Sequence, residues 1–520
     1  MLRNKPILNY CGLTIILSNV SRFDKINLLS GPAGVLINSW CLQPFCNSMQ
    51  CDIQLADSFA GFIPETKAVI LCGEYAMWKF CPQTKDNSLN EMRGSPLYVN
   101  ELPAIATFFP QDCCDIKSYE QQLNEQSKDY NVEEEKQDDG DTKRYSPTTR
   151  SNYAFWIKQD FNKVKKLLLN GETKWPVEQQ PIYRTYPPLD EVIEALKGHK
   201  DEYFYFDIET DIEEQNIQCF SFSFDGRIVY NVPILDYNYK WAYSNLHHIF
   251  RSLCNAVKQN IIVAHNGASF DCFILSLKYH IPVYRVYDTM LATHRCFPDV
   301  EKSLGHSTSL WTYQSFHKDE DSQGYRTNEQ MYKRLQYCGK DVFTMFLIKQ
   351  AIDKHAKRIP GLQQSIDCVN RSIVPYIVTS LQGIRYSQER LQKIKDYNDK
   401  LMTQYLRCIN LLIGEEGMAE VRSIMKNKNT KAFPMSNPQC VNYFHNILEY
   451  PVMARGKPNK KTGDRAPSLA KKAMYRLALK YENPVIRFSL LFRELRKEYG
   501  SLEFNPWRDD NNSIIPKQYE

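Results

Sequence analysis

The chain has 520 residues, 43% of them hydrophobic and 24% charged, with a formal net charge of +5 at pH 7. That length is too great for one ordinary core and implies about two to four domains, and the composition is that of a soluble globular protein. No run approaches the roughly 18 apolar residues of a membrane-spanning helix, and the small net charge excludes uniform attraction to nucleic acid, so the distribution of charge carries the information.

The amino terminus, MLRNKPILNYCGLTIIL, has basic and apolar residues, but Asn9, Tyr10 and Cys11 interrupt it. No small-residue cleavage site follows, which argues against a signal peptide. The 16 cysteines are scattered from Cys11 to Cys440, a distribution that favours reduced thiols in a cytoplasm over a disulfide framework. Cys41, Cys46 and Cys51 are evenly spaced, with Cys72 and Cys81 beyond, so an iron–sulfur cluster is conceivable, although no C-x-x-C occurs.

Residues 1–175 read as an α/β unit, with strands at Leu13–Leu17, Ala68–Cys72 and Ala104–Phe108 and helices at Ala33–Cys41 and Asn152–Leu169. Three fragments in it resemble the uracil-DNA glycosylase superfamily. They are Gly31-Pro32-Ala33-Gly34 opening a helix, AVILCGEYAMWKF at 68–80, and Arg93-Gly94 leading to Ala106-Thr107-Phe108-Phe109-Pro110. The resemblance implies a pocket for a flipped base. Phe109 stands where that family has a histidine, Gln111 replaces a small hydroxyl residue, and Ser18-Asn19-Val20-Ser21 replaces the water-activating loop. These departures give a degenerate glycosylase-like domain, kept as a DNA- or protein-binding module. Within 113–149, EEEKQDDGD at 133–141 lacks apolar periodicity and reads as part of a mobile acidic insertion. The proline-bearing stretch 176–188 reads as a linker.

From 189 to 363 the order is helix, strand, two strands joined at Asp225-Gly226, helix, strand, helix, strand, helix, which suits a mixed sheet with helices on its faces. The first strand, YFYFDIET at Tyr203–Thr210, ends with Asp207 and Glu209 on one face. Two carboxylates so close repel unless a cation separates them, and an open oxygen-rich site suits Mg²⁺ or Mn²⁺. A second strand, Ile261–Ala264, leads through His265-Asn266-Gly267-Ala268-Ser269-Phe270 to Asp271 at the start of a helix. The third element is Tyr337-Cys338-Gly339-Lys340-Asp341 in a helix from Asn328 to about Ala356, where i, i+4 spacing puts Tyr337 and Asp341 on one face.

Together, D-x-E, N-x3-F-D and Y-x3-D resemble the 3′→5′ proofreading exonucleases of the RNase H-like fold, in the subclass with a tyrosine in its third motif; Val286-Tyr287-Asp288-Thr289-Met290-Leu291 resembles the same family's next strand and helix. The resemblance implies phosphodiester hydrolysis with two metal ions. Asp207, Glu209 and Asp341 would hold one ion, Asp207 would bridge to a second placed with Asp271, and Tyr337 would orient the attacking water. Thr210, His265, Asn266 and Phe270 would support the site and the terminal nucleotide of a DNA single strand.

Cys296–Asp319 resembles the corresponding region of phage-type family A DNA polymerases, and a histidine or lysine in it could touch DNA. Residues 364–520 turn helical and basic, with patterns at Ile366–Gln382, Ser387–Leu412, Pro438–Leu448, Ser468–Lys480 and Pro484–Glu498. Residues 421–500 hold 17 Lys and Arg against 5 Asp and Glu. Lys457, Lys460, Lys461, Arg465, Lys471 and Lys472 crowd around Thr462-Gly463 and suit phosphate contacts. The segment resembles the thumb of a family A polymerase, down to Phe492-Arg493-Glu494-Leu495-Arg496-Lys497, and GIRYSQERLQ at 383–392 resembles the connection that follows the proofreading domain.

No D-Y-S-x-x-E-like, nucleotide-binding-helix or H-D-E-like motif appears, so the resemblance stops short of palm and fingers. A hairpin from Leu502–Phe504 and Ile514–Ile515, turning at Asp509–Asn512, would present an unpaired edge. The expectation is the amino-terminal portion of a phage-type family A polymerase, working on primer-template DNA in the cytoplasm (the host's, if viral). Its palm and fingers would be a separate polypeptide docking against 365–520, or removed by truncation. Two alternatives are a catalytically idle DNA-binding accessory subunit and an RNA-trimming exonuclease of the same fold.

Overall fold

The computed structural model describes residues 9–18, 36–43, 45–46, 50–110, 147–211, 216–236, 238, 240–315, 317, 327–385, 387–423, 433–458, 465–501, 507–508 and 513–515. They divide into two compact units, the described residues up to 381 and those from 382 onward.

The first unit holds two sheets. One contains β1 (Leu13–Leu17), β2 (Asp52–Leu55), β3 (Ala68–Cys72), β4 (Pro96–Val99) and β5 (Leu102–Thr107) in the order β2-β1-β3-β5-β4. Only β4 runs antiparallel to its neighbour. Every residue of β1 and β3 is buried, because both faces of a parallel sheet are covered. Helix α1 (Glu74–Phe80) follows β3. Helix α2 (Pro147–Leu169) lays Trp156, Ile157, Phe161, Val164 and Leu167 on the same core. Two expected strands match residue for residue, and the third overlaps β5. The polar β2 and the short β4 escape the apolar-run criterion. The expected helix at 33–41 overlaps a short π-type helix, Ile37–Leu42. Gly31–Gly34, Asn19–Ser21, Gln111 and most of the stretch read as an insertion lie outside the described residues; that stretch ends inside α2, which begins at Pro147.

The second sheet is mixed, as expected, and contains β6 (Ile182–Thr185), β7 (Tyr203–Thr210), β8 (Ile217–Ser223), β9 (Ile228–Pro233), β10 (Ile261–Ala264) and β11 (Val286–Asp288). Its order is β11-β10-β7-β8-β9-β6. After a short helix at Leu189–Ala195, the helices are α3 (Leu246–Gln259), α4 (Asp271–Lys278), α5 (Thr289–Cys296), α6 (Leu304–Trp311), α7 (Asn328–Ala356), α8 (Leu362–Arg371) and α9 (Ile373–Gln382). The linker reading of 176–188 is corrected at β6, which extends the sheet by pairing parallel with β9. Trp175, just before it, is buried and donates its indole N–H to the Leu97 carbonyl. The boundary at 363 is corrected too: α8 belongs to the first unit, with Ile366 in its core and Asn370 Oδ1 accepting from the Asp288 N–H.

The two sheets are locked together by a buried cation. The Arg93 guanidinium is 0% exposed, donates to both carboxylate oxygens of Asp160 at 2.6 and 3.2 Å, and stacks on Trp156. Its remaining nitrogen donates to Ser309 Oγ on α6 at 3.2 Å. Lys163 completes the lock, donating to the Gly94 and Thr312 carbonyls. Gly94 has φ +70°, and a Cβ there would lie 2.7 Å from Asp160 Oδ1, so the Arg93-Gly94 pair is dictated by this packing. Burial pulls the Lys163 ammonium down to about 7.

A second close approach sets the position of α7. Gly339 lies mid-helix, where glycine costs about 1 kcal/mol relative to alanine. A Cβ at this point would overlap the Asn231 side chain on β9. The absent side chain lets the helix axis settle onto the sheet beside β7 and β8.

In the second unit α10 (Gln388–Ser423), broken by a non-helical Gly414, packs with α11 (Lys471–Lys480) and α12 (Pro484–Ser501) around Ile409, Phe444, Met474, Leu477 and Ile486. Arg493 is structural, donating to the Pro434 and Leu469 carbonyls. The expected helices are present; of two small sheets, one was not anticipated and the other is built on the expected terminal hairpin. β13 (Arg455–Pro458) and β14 (Arg465–Pro467) pair antiparallel. In the other, β12 (Ile384–Arg385) and β15 (Trp507–Arg508) flank β16 (Ser513–Ile515). The terminal hairpin therefore uses Trp507–Arg508, and one edge of its β16 strand is covered by the chain's own β12; Leu502–Phe504 lie outside the described residues. No helix among the described residues is long and apolar enough to cross a membrane.

Replacing Asp160 with Asn leaves the Arg93 charge buried without its counter-charge and is expected to destabilise the protein by about 3–5 kcal/mol in urea unfolding. A change below about 0.5 kcal/mol, the range of an ordinary surface substitution, would contradict the lock. Gly339→Ala is expected to destabilise by about 1–3 kcal/mol through overpacking, opposite in sign to the helix-propensity gain. A stabilised Gly339→Ala protein would show that α7 does not need the close approach.

Candidate active site

Strand β7 divides its side chains by alternation. Phe204, Phe206 and Ile208 enter an aromatic core with Phe220 and Phe222, while Tyr205, Asp207 and Glu209 face α7. Tyr205 packs edge-on against Phe346 of α7, ring centroids 5.3 Å apart. About two turns toward the helix start, Cys338 donates its S–H to Asp207 Oδ2 at 3.3 Å. Arg334 donates to Glu209 Oε2 at 3.1 Å and to the Thr210 carbonyl at 3.0 Å. Arg334, Cys338 and Asp341 follow i, i+4, i+7 spacing, so one helical face supplies all three.

Carboxylate oxygens of Asp207, Glu209 and Asp341 come within 4.8 Å of one another. Asp341 is buried and Asp207 and Glu209 are half-buried. His317 approaches from the segment before α7, its Nε2 2.8 Å from Asp341 Oδ1. The buried Tyr337 ring meets that imidazole edge-on at 6.0 Å. Three carboxylates converge within 4.8 Å, and that donor set is entirely oxygen. The residues present therefore fit a hard divalent cation such as Mg²⁺ or Mn²⁺.

Asp271 lies at the same end of the sheet but outside that trio. It is the first residue of α4, and its Oδ1 accepts from the Ile208 N–H, inside the D-x-E strand, at 3.0 Å. Burial raises it to about 7, against the pull of that backbone N–H, with the charges of Asp288 and Asp341 adding to the rise.

The remaining expected residues divide by role. Both His265 ring nitrogens are engaged, Nδ1 with Thr289 Oγ1 at 2.9 Å and Nε2 with the Lys302 carbonyl at 2.8 Å, so it ties β10 to the α5 segment. Asn266 takes φ +65° and donates its N–H to Asp288, which also caps α5. Phe270 is half-buried and immediately precedes α4; Thr210 is buried and meets Arg334 through its carbonyl. In the second unit Lys471 forms an exposed 2.6 Å ion pair with Glu494, while Lys472 is exposed. Lys460 and Lys461 lie outside the described residues, as does the side chain of Arg465. Sequence reasoning missed Arg334, which the i−3, i−4 rule from Tyr337 and Cys338 could have found. It located His317 only as a member of a loop, because a lone histidine has no local pattern.

Residues 182–357 match the family model described as 3′-5′ exonuclease, of the DNA polymerase A type. No curated protein matches the chain. Among solved structures, NrnC of Brucella melitensis bound to pGG is 15% identical over 40% of this chain and 95% of its own, with a TM-score of 0.31. The POL domain of Pol1 from M. smegmatis, in complex with DNA primer-template and dNTP, is 13% identical over 64% of this chain and 52% of its own, at 0.37. RNase D of Trypanosoma brucei is 13% identical over 33% and 64%, at 0.27. The family match, laid over the β7–α7 carboxylates, shows that the chain contains a 3′-5′ exonuclease domain of the DNA polymerase A type.

Proposed function

We propose that this domain is an active, metal-dependent 3′→5′ exonuclease that trims single-stranded DNA ends, the proofreading portion of a phage-type family A polymerase. The observation that carries the reading is the convergence of Asp207, Glu209 and Asp341 within 4.8 Å, inside the segment that matches the exonuclease family. Asp207, Glu209 and Asp341 would hold one divalent cation, and Asp207 with Asp271 a second. Bound Mg²⁺ or Mn²⁺ supplies stabilisation of developing negative charge on phosphate and lowers the pKa of coordinated water.

The chain's own groups do the rest. Arg334 holds the Glu209 carboxylate, and His317 holds that of Asp341. Asp271, raised by burial to about 7, favours its anionic form once positive charge is beside it. Tyr337 orients the attacking water through its hydroxyl. Thr210, Asn266 and Phe270 flank the carboxylates in the chain and are assigned to the terminal nucleotide, with His265 supporting the turn. Residues 382–520 act as a thumb-like duplex grip, an assignment supported by the excess of basic residues at 421–500.

Residues 1–175 serve as a glycosylase-like module that does not excise uracil. Arg93 and Gly94 are committed to the buried lock with Asp160 and Ser309, and Phe109 offers no group to stabilise a departing uracil anion. Release of free uracil at the rate of an authentic glycosylase would overturn that part.

The test is a single-turnover assay on single-stranded DNA labelled at its 5′ end, with Mg²⁺. Stepwise shortening is expected for the wild type. Asp207→Ala or Asp341→Ala should lose several kcal/mol of barrier stabilisation, about 10³-fold or more in rate, while remaining folded. Tyr337→Phe should be milder. A wild-type rate in Asp207→Ala/Glu209→Ala would sink the assignment. Preference for a ribose-only substrate would favour RNA trimming, and no shortening by the wild type would favour an idle binding subunit. With primer-template and nucleotides, shortening without extension is expected of residues 1–520.

A further inference from the structure

Three cysteines far apart in the chain meet at one end of the first sheet. Cys11 lies two residues before β1 and Cys51 immediately precedes β2, and these neighbouring strands run parallel from the same end. Cys46 joins them from the connection between the Ile37–Leu42 helix and β2. The Cys11 Sγ lies 3.6 Å from that of Cys51, and the Cys46 Sγ lies 3.7 Å from it. All three sulfurs are within 4.8 Å of one another, and none is in a disulfide.

We propose that Cys11, Cys46 and Cys51 form a zinc site, holding Zn²⁺ through three thiolates with the fourth position open to solvent. A zinc–thiolate bond of about 2.3 Å in tetrahedral geometry places sulfurs about 3.8 Å apart, close to the two shortest separations here. The trio already has that spacing without backbone movement. A disulfide would need the sulfurs at about 2.05 Å, far closer than they lie. Cys46 and Cys51 are buried and Cys11 is half-buried, so the site is shielded on one side and reachable on the other. No histidine precedes His199, so no imidazole from this domain completes the set. Three protein ligands plus water is the arrangement of an open zinc site.

The geometry changes the membership expected for an iron–sulfur cluster. Among the described residues, Cys41, Cys72 and Cys81 are not in the group, which supplies three of the four cysteines that an ordinary cluster takes. Cys72 is in the β3 core and Cys81 contacts the Tyr98 carbonyl. The evenly spaced trio in the sequence is thus not the trio in space: Cys11, thirty residues earlier, replaces Cys41. Zinc here would tie the edge strand β2 and its incoming connection to β1, the strand that β2 pairs with.

The experiment uses the full chain, purified reduced and without metal-chelating resin. Elemental analysis should find one zinc per chain, present also in Asp207→Ala/Asp341→Ala, which separates this site from the carboxylates. Cys51→Ser and Cys11→Ser should each lose it. Co²⁺ substituted into the wild type should give the near-ultraviolet charge-transfer absorption of thiolate–cobalt bonds. This reading needs no variant and decides the matter if Cys51→Ser fails to fold. Four results would overturn the proposal: a wild type with neither bound zinc nor the cobalt band, zinc that persists in Cys11→Ser/Cys51→Ser, iron with acid-labile sulfide, or a Cys11–Cys51 disulfide in the reduced preparation.

Discussion

The exonuclease domain is arranged around the approach of a long helix to the carboxyl-bearing face of one strand. Two unit charges about 4 Å apart repel by roughly 4 kcal/mol at an effective dielectric near 20. Asp207, Glu209 and Asp341 present three such pairs, with Arg334 beside Glu209 and His317 beside Asp341. Folding alone would not assemble them without other gains. Those gains are the packing of Tyr205 on Phe346, the Cys338 contact with Asp207, and the bare Gly339 backbone against Asn231. The cost of gathering like charges is offset by a core, and the cluster of carboxylate oxygens suits a divalent cation.

The same logic of committed charge explains the amino-terminal domain. A guanidinium at 0% exposure is tolerable only with its counter-charge and hydrogen bonds in place; Asp160 and Ser309 provide them, and Thr107 donates to the Asp160 carboxylate. An arginine–glycine pair that reads as a remnant of base recognition is a structural rivet to the segment following α5. That segment then carries His317 to Asp341, so the amino-terminal sheet and the candidate site share one connected scaffold.

Much of this was legible in the chain. YFYFDIET alternates so strictly that the two acidic residues could fall only on one face, and Y-x3-D needs only helical geometry. Apolar runs such as LTIIL and AVILC located buried parallel strands residue for residue. Polar or short strands did not announce themselves: β2 reads DIQL and β6 reads IYRT, and their pairing is decided by neighbours far away in sequence. The same holds for His317 and for Cys11, whose partners are set by tertiary topology. Even spacing misled where it suggested Cys41 as a companion of Cys46 and Cys51, because distance along the chain says nothing about which strand end a residue occupies.

The account stands or falls on the carboxylate cluster being a cation site, and thermal unfolding during a Mn²⁺ titration tests that directly. The wild type should gain stability saturably as Mn²⁺ rises. Asp207→Asn/Glu209→Gln, relieved of the repulsion, should be more stable than the wild type without metal and should not respond to it. A wild type indifferent to Mn²⁺, or a double variant that responds equally, would contradict the account.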